Sequence, residues 1–229
     1  MTRFTPMTYE NNVSTCPYIY TDTKWHGFLA THQPAQWMGE SAEIAIAAGT
    51  GAVKSSFKDR GLIFSHDDEV SSPMYYKATL TSPDNVGEVI TAELTSVSRA
   101  AAMRFTFKNS DAKTTAPFVV VQATRALVNG EVNIDPVNRE ITGYNPERQD
   151  DVLGPFKAAD FKGYFIAKFD KEFLSYGTAK NSTLFENKNS DKGEQLAGFV
   201  TFDPTVTTVN VRLGLSFISL GKKRSEVRN

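Results

Sequence analysis

The chain has 229 residues, of which 40% are hydrophobic, with sixteen Phe and eight Tyr, enough to bury a sizeable core. Its charges nearly cancel at a formal net charge of −1, so it lacks the basic excess that favours a nucleic-acid or anionic-membrane partner. The single cysteine, Cys16, excludes an intrachain disulfide and gives no metal-ligand pattern.

The N-terminus does not indicate a targeting segment. Residues 1–6 are polar and lack the apolar core of a signal peptide. No run of about 18 apolar residues predicts a membrane span. We therefore expect no membrane partner, and the sequence leaves the compartment open.

Alternating apolar residues predict strands along most of the chain. Residues 41–49 are ambiguous because Ala favours helix, but Ile44 and Ile46 alternate with small residues and predict a strand. The same period of two predicts strands at 90–94 and 103–107. Runs of β-branched and aromatic residues predict the later strands, at 118–121, 161–169, 199–202 and 206–218.

Turn-forming residues separate these strands. The clearest are Ser82–Asn85, Asn109–Asp111 and Asp203–Pro204. Asn129–Gly130 predicts a tight hairpin between residues 127–128 and Val132.

Polar composition predicts long loops at 138–160 and 178–195, and no segment predicts an amphipathic helix. Many short strands with regular turns favour a single, mostly antiparallel, all-β sandwich domain over residues 1–229, with 220–229 as a frayed tail.

Residues 20–40 form the segment with the highest density of polar and aromatic side chains. It contains Trp25, Trp37, His26 and His32, and its Pro and Gly residues predict a loop. An indole ring can pack on the apolar face of a pyranose, while amide, imidazole and carboxylate groups bind its hydroxyls. The alternative is that the tryptophans lie in the core and the histidines bond to buried carbonyls.

A second polar cluster lies at Ser65-His-Asp-Asp-Glu69. Adjacent carboxylates can bind a cation or act as acid and base, but the spacing is not that of an EF-hand loop. The alternative is a solvated acidic turn. The residues alone indicate an all-β domain that could bind carbohydrate.

Five segments, in order, resemble the N-terminal domain of glycoside hydrolase family 92. They are His26–Gln33, with its Gly-Phe-x-x-x-His pattern; Phe64–Glu69 with Pro73–Tyr76; Ile90–Thr95 with Arg99 and Arg104–Phe107; Gly163–Gly177; and Val209–Ser219. The resemblance runs from about residue 2 to residue 219.

The resemblance implies a β-supersandwich, of the galactose-mutarotase-like or lectin-like kind, joined to a larger α/α-barrel catalytic domain. It also implies a Ca²⁺-dependent, inverting exo-α-mannosidase acting on N-glycan-type mannosides. The catalytic carboxylates and the Ca²⁺ ligands would belong to the catalytic domain, so we expect no catalytic residue, metal ligand or cofactor in this chain. The expected partners are a mannoside glycan and that catalytic domain.

Carried over by position, the residues expected to contact substrate are His32, Gln33, Trp37, Glu40, His66 and Glu69. The alternative for His66 and Glu69 is that they only tie the loop to the sheet. By the same resemblance, Glu93, Arg99 and Arg104 are expected to form structural ion pairs inside the sandwich. Relative to the family pattern the chain is expected to be truncated at both ends, and so inactive alone. The competing hypotheses are a free-standing carbohydrate-binding module and a non-functional gene fragment.

Overall fold

The computed structural model describes residues 2–10, 17–32, 41–84, 87–109, 115–148 and 160–219, which form eighteen β-strands. In chain order, the first nine strands are β1 Arg3–Met7, β2 Lys24–Trp25, β3 Gly27–Thr31, β4 Ile44–Thr50, β5 Leu62–Phe64, β6 Val70–Ser72, β7 Tyr75–Thr81, β8 Glu88–Ser96 and β9 Ala100–Asn109. The others are β10 Pro117–Gln122, β11 Gly130–Asp135, β12 Glu140–Asn145, β13 Gly163–Phe169, β14 Ser175–Lys180, β15 Thr183–Glu186, β16 Ser190–Gly193, β17 Leu196–Thr201 and β18 Thr208–Ser216. One short 3-10 turn, His66–Asp68, lies between β5 and β6.

The strands form two antiparallel sheets. The small sheet has the order β1-β3-β4-β10-β17-β14-β15. The large sheet has the order β16-β11-β12-β13-β18-β9-β8-β7-β5-β2, with β6 paired to β7. This confirms the predicted antiparallel β-sandwich.

The main core lies between the sheets. Alternation decides which residues enter it: Val119 and Val121 of β10 face the large sheet, whose strands contribute Ile90, Phe105 and Val211. All five side chains are at most 2% exposed. The predicted apolar faces of 90–94 and 103–107 are therefore confirmed. The strand predicted at 41–49 is also found, as β4 at Ile44–Thr50.

The outer face of the small sheet is also apolar. Phe118 and Val120 alternate with the core valines and pack with Phe199, under partly buried Val53 and Leu184. Because both faces of β10 are buried, its sequence is a continuous apolar run rather than an alternating one.

The predicted hairpin at Asn129–Gly130 is wrong. Residues 123–129 instead carry the chain from β10 in the small sheet to β11 in the large one. Gly130 is required by close packing, because a Cβ there would lie 2.5 Å from both the Thr124 side chain and the Tyr144 carbonyl oxygen.

The predicted long loops are wrong for 140–145 and for most of 178–195, whereas residues 149–159 lie outside the described residues. Residues 140–145 form β12, whose Gly143 allows close approach to the Glu131 carbonyl of β11. Residues 178–195 contain the end of β14 and all of β15 and β16. The latter two are exposed at sheet edges, so they need no apolar face and carry no alternation signal.

Glu93 and Arg104 do face each other across β8 and β9, with Arg104 Nη1 3.8 Å from Glu93 Oε2. However, both lie on the outer face of the large sheet, where the Arg104 side chain is 57% exposed. Arg99 is exposed in the β8–β9 turn. The expectation that these residues lie inside the sandwich is therefore wrong, because neighbouring Leu94, Met103 and Phe105 occupy that side. The tail 220–229 lies outside the described residues.

Within those described ranges, no helix has the length and apolar character needed to cross a membrane.

Candidate functional site

A buried carboxylate at one edge of the large sheet is surrounded by hydroxyl and imidazole donors. The Glu69 side chain is 9% exposed. Its Oε2 accepts from the Tyr18 hydroxyl at 2.8 Å and lies 2.7 Å from His66 Nδ1, and its Oε1 accepts from the Tyr76 hydroxyl at 2.5 Å. We call Tyr18, Tyr20, His66, Glu69 and Tyr76 the Glu69 cluster.

Local backbone geometry places these groups together. Ser65 caps the 3-10 turn by accepting from the Asp67 N–H at 3.2 Å, and the Glu69 N–H closes the turn on the His66 carbonyl. The hairpin of β6 and β7 then brings Tyr76 back opposite Ser71. Glu69 and Tyr76 therefore meet although seven residues separate them.

The cluster shifts the protonation of its own members. Burial by itself would raise the pKa of Glu69, but hydrogen bonds from Tyr76, His66 and Tyr18 outweigh burial and lower that pKa. The hydrogen bond to Glu69 raises the pKa of His66. Burial and the same carboxylate raise the pKa of Tyr76, so it stays a hydroxyl donor.

The solvent side of the cluster is a stacked pair of rings. The Tyr20 and His66 rings lie 4.1 Å apart at an interplanar angle of 14°, and His66 Nε2 lies 2.5 Å from the Tyr20 carbonyl oxygen. Tyr20 is 68% exposed. The group that this region offers to a ligand is thus the outer face of Tyr20, with Asp67 and Asp68 exposed beside it.

His32 lies elsewhere and is buried, at 1% exposure. Its Nδ1 lies 2.9 Å from the Ala42 carbonyl oxygen and its Nε2 lies 2.8 Å from that of Tyr164. Burial lowers its pKa, against the opposing effect of these backbone contacts. Gly163 makes room for the ring, since a Cβ there would lie 2.8 Å from Nδ1.

This histidine closes the base of the segment predicted to contact substrate. The His32 N–H donates to the Ser41 carbonyl at 3.1 Å, and the Thr31 hydroxyl donates to the same oxygen at 3.0 Å. The residues on either side of 33–40 are therefore held together, and His32 is held against β13. Gln33, Trp37 and Glu40 themselves lie outside the described residues.

Trp25 and His26 agree with the alternative stated for their segment, in which the tryptophan lies in the core and the histidine bonds to a buried carbonyl. Trp25 is fully buried and meets Phe28 edge-on at 5.0 Å. His26 stacks on Phe57 at 3.9 Å and places Nδ1 2.8 Å from the Phe57 carbonyl oxygen. Burial lowers the pKa of His26 to about 4. Trp25 is the last residue of β2, and His26 links β2 to β3. The predicted loop at 20–40 is therefore wrong for residues 24–31.

The structure divides the predicted substrate-contacting residues into two groups. His32 contacts β13, whereas Glu69, which is bonded to His66, contacts β7, four strands away in the large sheet. At about 4.8 Å per strand, the two groups are separated by roughly 19 Å across the sheet.

Sequence reasoning missed the hydroxyl donors of the Glu69 cluster. Tyr75 and Tyr76 belong to the segment Pro73–Tyr76, one of those that resemble the family. Tyr18 and Tyr20 are two residues apart, the spacing of side chains on one face of a strand. Only the fold shows that Tyr18 and Tyr76 converge on one carboxylate.

No group of three or more His, Cys, Asp or Glu side chains within the described ranges could hold a metal ion. Glu69 is already bonded to Tyr18, His66 and Tyr76, and Asp67 and Asp68 are exposed. These residues do not fit a calcium site.

Two extended antiparallel sheets around a shared core, with polar loops at their ends, define this chain as a large β-sandwich domain. The family model of the glycosyl hydrolase family 92 N-terminal domain matches residues 1–216, so the chain belongs to that family.

Solved structures show the same fold. The inverting family 92 mannosidase BT2199 from Bacteroides thetaiotaomicron VPI-5482 is 26% identical, with a TM-score of 0.84 over 100% of this chain and 29% of its own. The α-mannosidase BT3965 from Bacteroides thetaiotaomicron is 22% identical, with a TM-score of 0.75 over 99% of this chain and 31% of its own. A bacterial glucoamylase complexed with acarbose shares the fold at 12% identity, with a TM-score of 0.58 over 100% of this chain and 38% of its own.

The chain thus spans about a third of the length of these mannosidases. A search of the curated proteins found no match.

Proposed function

We propose that this chain is the carbohydrate-contacting N-terminal domain of an inverting exo-α-mannosidase acting on N-glycan-type mannosides. The observation that carries the proposal is the family match over residues 1–216, together with the likeness to a mannosidase of which this chain covers 29%. In this proposal the chain has no hydrolytic activity until a catalytic domain completes the active site.

The geometry at His32 supports a positioning role for that residue. Its ring and backbone join the residues that flank 33–40, contacting Ser41 and Ala42 on the far side and Tyr164 of β13. Fixing the residues that flank a ligand-contacting segment reduces the conformational entropy that is lost on binding. We assign sugar contact to Gln33, Trp37 and Glu40, and their positioning to His32.

The Glu69 cluster is proposed as a second contact. Glu69 fixes the orientation of His66, and His66 supports the exposed ring of Tyr20. An exposed aromatic face suits the apolar side of a pyranose. Here Glu69 and His66 position Tyr20 rather than contact the sugar themselves.

Inversion requires an acid and a base on opposite sides of the bond, far enough apart to admit water. We propose that the catalytic domain supplies both carboxylates and also binds Ca²⁺, which would hold and polarise the sugar hydroxyls. This domain contributes binding and exclusion of water.

The first test is calorimetric titration of the 229-residue chain with mannose and an α-1,2-linked mannobiose, with and without Ca²⁺. The proposal expects no saturable binding by a well-folded chain, because the site is shared between two domains. Saturable binding without Ca²⁺ that disappears in Trp37→Ala would instead support a free-standing carbohydrate-binding module.

The second test gives a positive result if the proposal holds. The chain replaces the corresponding part of the Bacteroides mannosidase BT2199, and hydrolysis of the mannobiose is followed by NMR. We expect release of mannose with inverted anomeric configuration, and a raised KM in Trp37→Ala. Lys108→Ala, an exposed change on β9, serves as the matched control and should leave KM unchanged. A folded but inactive chimera would contradict the proposal.

A further inference from the structure

The outer face of the large sheet carries a groove that the proposed function does not use. Its volume is about 680 Å³, within the range of roughly 300–1,000 Å³ typical of small-molecule sites. Side chains of β7, β8, β9, β13 and β18 line it.

Strand register explains the depression. One cross-strand row runs through Glu93, Arg104 and Asn210. In the next row, Ala102 lies between Thr95 and Arg212. The small side chain of Ala102 leaves the floor open, while longer side chains stand on each side.

A hydrogen-bonded chain holds the first row in place. The Tyr75 hydroxyl donates to Glu93 Oε1 at 2.6 Å, and Arg104 Nε donates to Asn210 Oδ1 at 3.1 Å. Asn210 Nδ2 in turn donates to Asp170 Oδ2 at 2.8 Å. The Arg104 guanidinium is thus oriented while its side chain remains 57% exposed.

The groove has an excess of positive charge in a chain that is nearly neutral. Four cationic side chains line it against the two carboxylates of Glu93 and Asp170, and a third carboxylate, that of Glu140, lies 3.1 Å from Lys168 Nζ. The cationic residues are Arg104, Arg139, Lys168 and Arg212. Guanidinium groups match carboxylate and phosphate oxygens in geometry as well as charge.

The lining favours a charged sugar over a neutral one. Tyr75 is the single aromatic side chain on the solvent face of the groove among the described lining residues, since Phe169 points into the core. A neutral pyranose would be expected to need a broader aromatic platform. Hydroxyl and amide groups of Thr95 and Asn210 can still bind sugar hydroxyls.

We propose that this groove binds a saccharide bearing a carboxylate or a phosphate, with Arg104 and Arg212 on the anionic group. This site is a binding function separate from the substrate contacts assigned to segment 33–40 and the Glu69 cluster. It does not depend on hydrolysis.

The test is amide NMR of the 229-residue chain titrated with mannose 6-phosphate, glucuronate, mannose and inorganic phosphate. We expect saturable shifts in β8, β9 and β18 with at least one charged sugar and none with mannose. The tighter of the two charged sugars identifies the anionic group. Arg104→Ala and Arg212→Ala should each weaken binding about tenfold, the loss of one charge-assisted hydrogen bond.

Lys108→Ala is the matched control, because Lys108 lies on the same face of β9 as Arg104 but does not line the groove. Its affinity should match that of the unchanged chain. Three results would each overturn the proposal: no saturable shift with either charged sugar, unchanged affinity in both arginine variants, or inorganic phosphate binding as tightly as mannose 6-phosphate.

Discussion

Tyr75 and Tyr76 are consecutive residues of β7 that donate their hydroxyls to different glutamates on opposite faces of the large sheet. Tyr76 bonds to Glu69 Oε1 at 2.5 Å, and Tyr75 bonds to Glu93 Oε1 at 2.6 Å. The period of two along a strand separates them, so one tyrosine supports the Glu69 cluster and the other lines the charged groove.

This pair gives a matched test of burial. Tyr76 is 6% exposed and donates to a buried carboxylate, so Tyr76→Phe should lower the free energy of unfolding by about 1–3 kcal/mol. Tyr75→Phe should cost less than about 1 kcal/mol, because water replaces the lost bond. Urea denaturation measures both. Equal losses would mean that the Glu69 carboxylate is solvated.

The contribution of Glu69 to the stability of the domain should decrease both at low pH and at high pH. The pKa of Glu69 is lowered, so its contribution is complete above its ordinary value of 4.5 and is lost as pH falls through the lowered value. The pKa of His66 is raised, so its contribution is complete below 6.5 and is lost as pH rises through the raised value. The difference in Tm between the unchanged chain and Glu69→Gln should therefore be greatest between pH 4.5 and 6.5. His66→Gln should remove the decline on the alkaline side only, and a Tm difference that does not vary with pH would contradict this reading.

Glu43 should destabilise the domain as pH rises. Burial raises its pKa to about 8, and the carboxylate of Glu147 adds to the rise while Arg125 opposes it. Because this carboxyl pKa is raised, the contribution of Glu43 to stability is complete below pH 4.5 and is lost as pH rises through about 8.

Glu43→Gln should therefore stabilise the domain at pH 8 by about 2 kcal/mol or more, on the scale of about 1.4 kcal/mol per pKa unit. It should have little effect at pH 4.5. The control is Glu131→Gln, since the pKa of Glu131 is lowered by hydrogen bonds that outweigh its burial. That substitution should not stabilise at either pH. A gain at pH 8 in both variants would indicate a general charge effect.

Trp25 should behave as a core residue. It is fully buried, and its Nε1 has no hydrogen-bond partner among the described residues. Trp25→Ala should cost about 3–5 kcal/mol through the cavity left behind. Trp25→Phe should cost much less, because it fills part of the cavity and removes an unsatisfied donor. Thermal unfolding compares the two variants. Equal costs would contradict the cavity argument, because both variants lack the indole N–H and differ only in the volume that they leave empty.

Sequence reasoning predicted those parts of the fold whose pattern depends on a single buried face. Leu94, Met103 and Phe105 alternate cleanly because their strands have solvent on the other side. It failed at β15 and β16, where edge strands need no apolar side chains. It also failed at Gly130, because a glycine that permits close packing looks the same in sequence as one that permits a turn.

The candidate site was likewise predictable only where its residues lie close together in the sequence. His66 and Glu69 could be found from a local motif, because only three residues separate them. Tyr18 could not, since 51 residues separate it from Glu69. The charged groove depends on the register of β9 and β18, in which Arg104 and Asn210 are 106 residues apart.

Hydrogen bonds among Thr31, His32 and Ser41, together with the contact of His32 with Tyr164, fix the residues on either side of 33–40 to each other and to β13. Loop-closure entropy grows slowly with length once the ends are fixed. We therefore expect a change of length between these flanking residues to cost little closure entropy. A directed library confined to 33–40 would then test the proposed sugar contact while leaving the sequence of all eighteen strands unchanged.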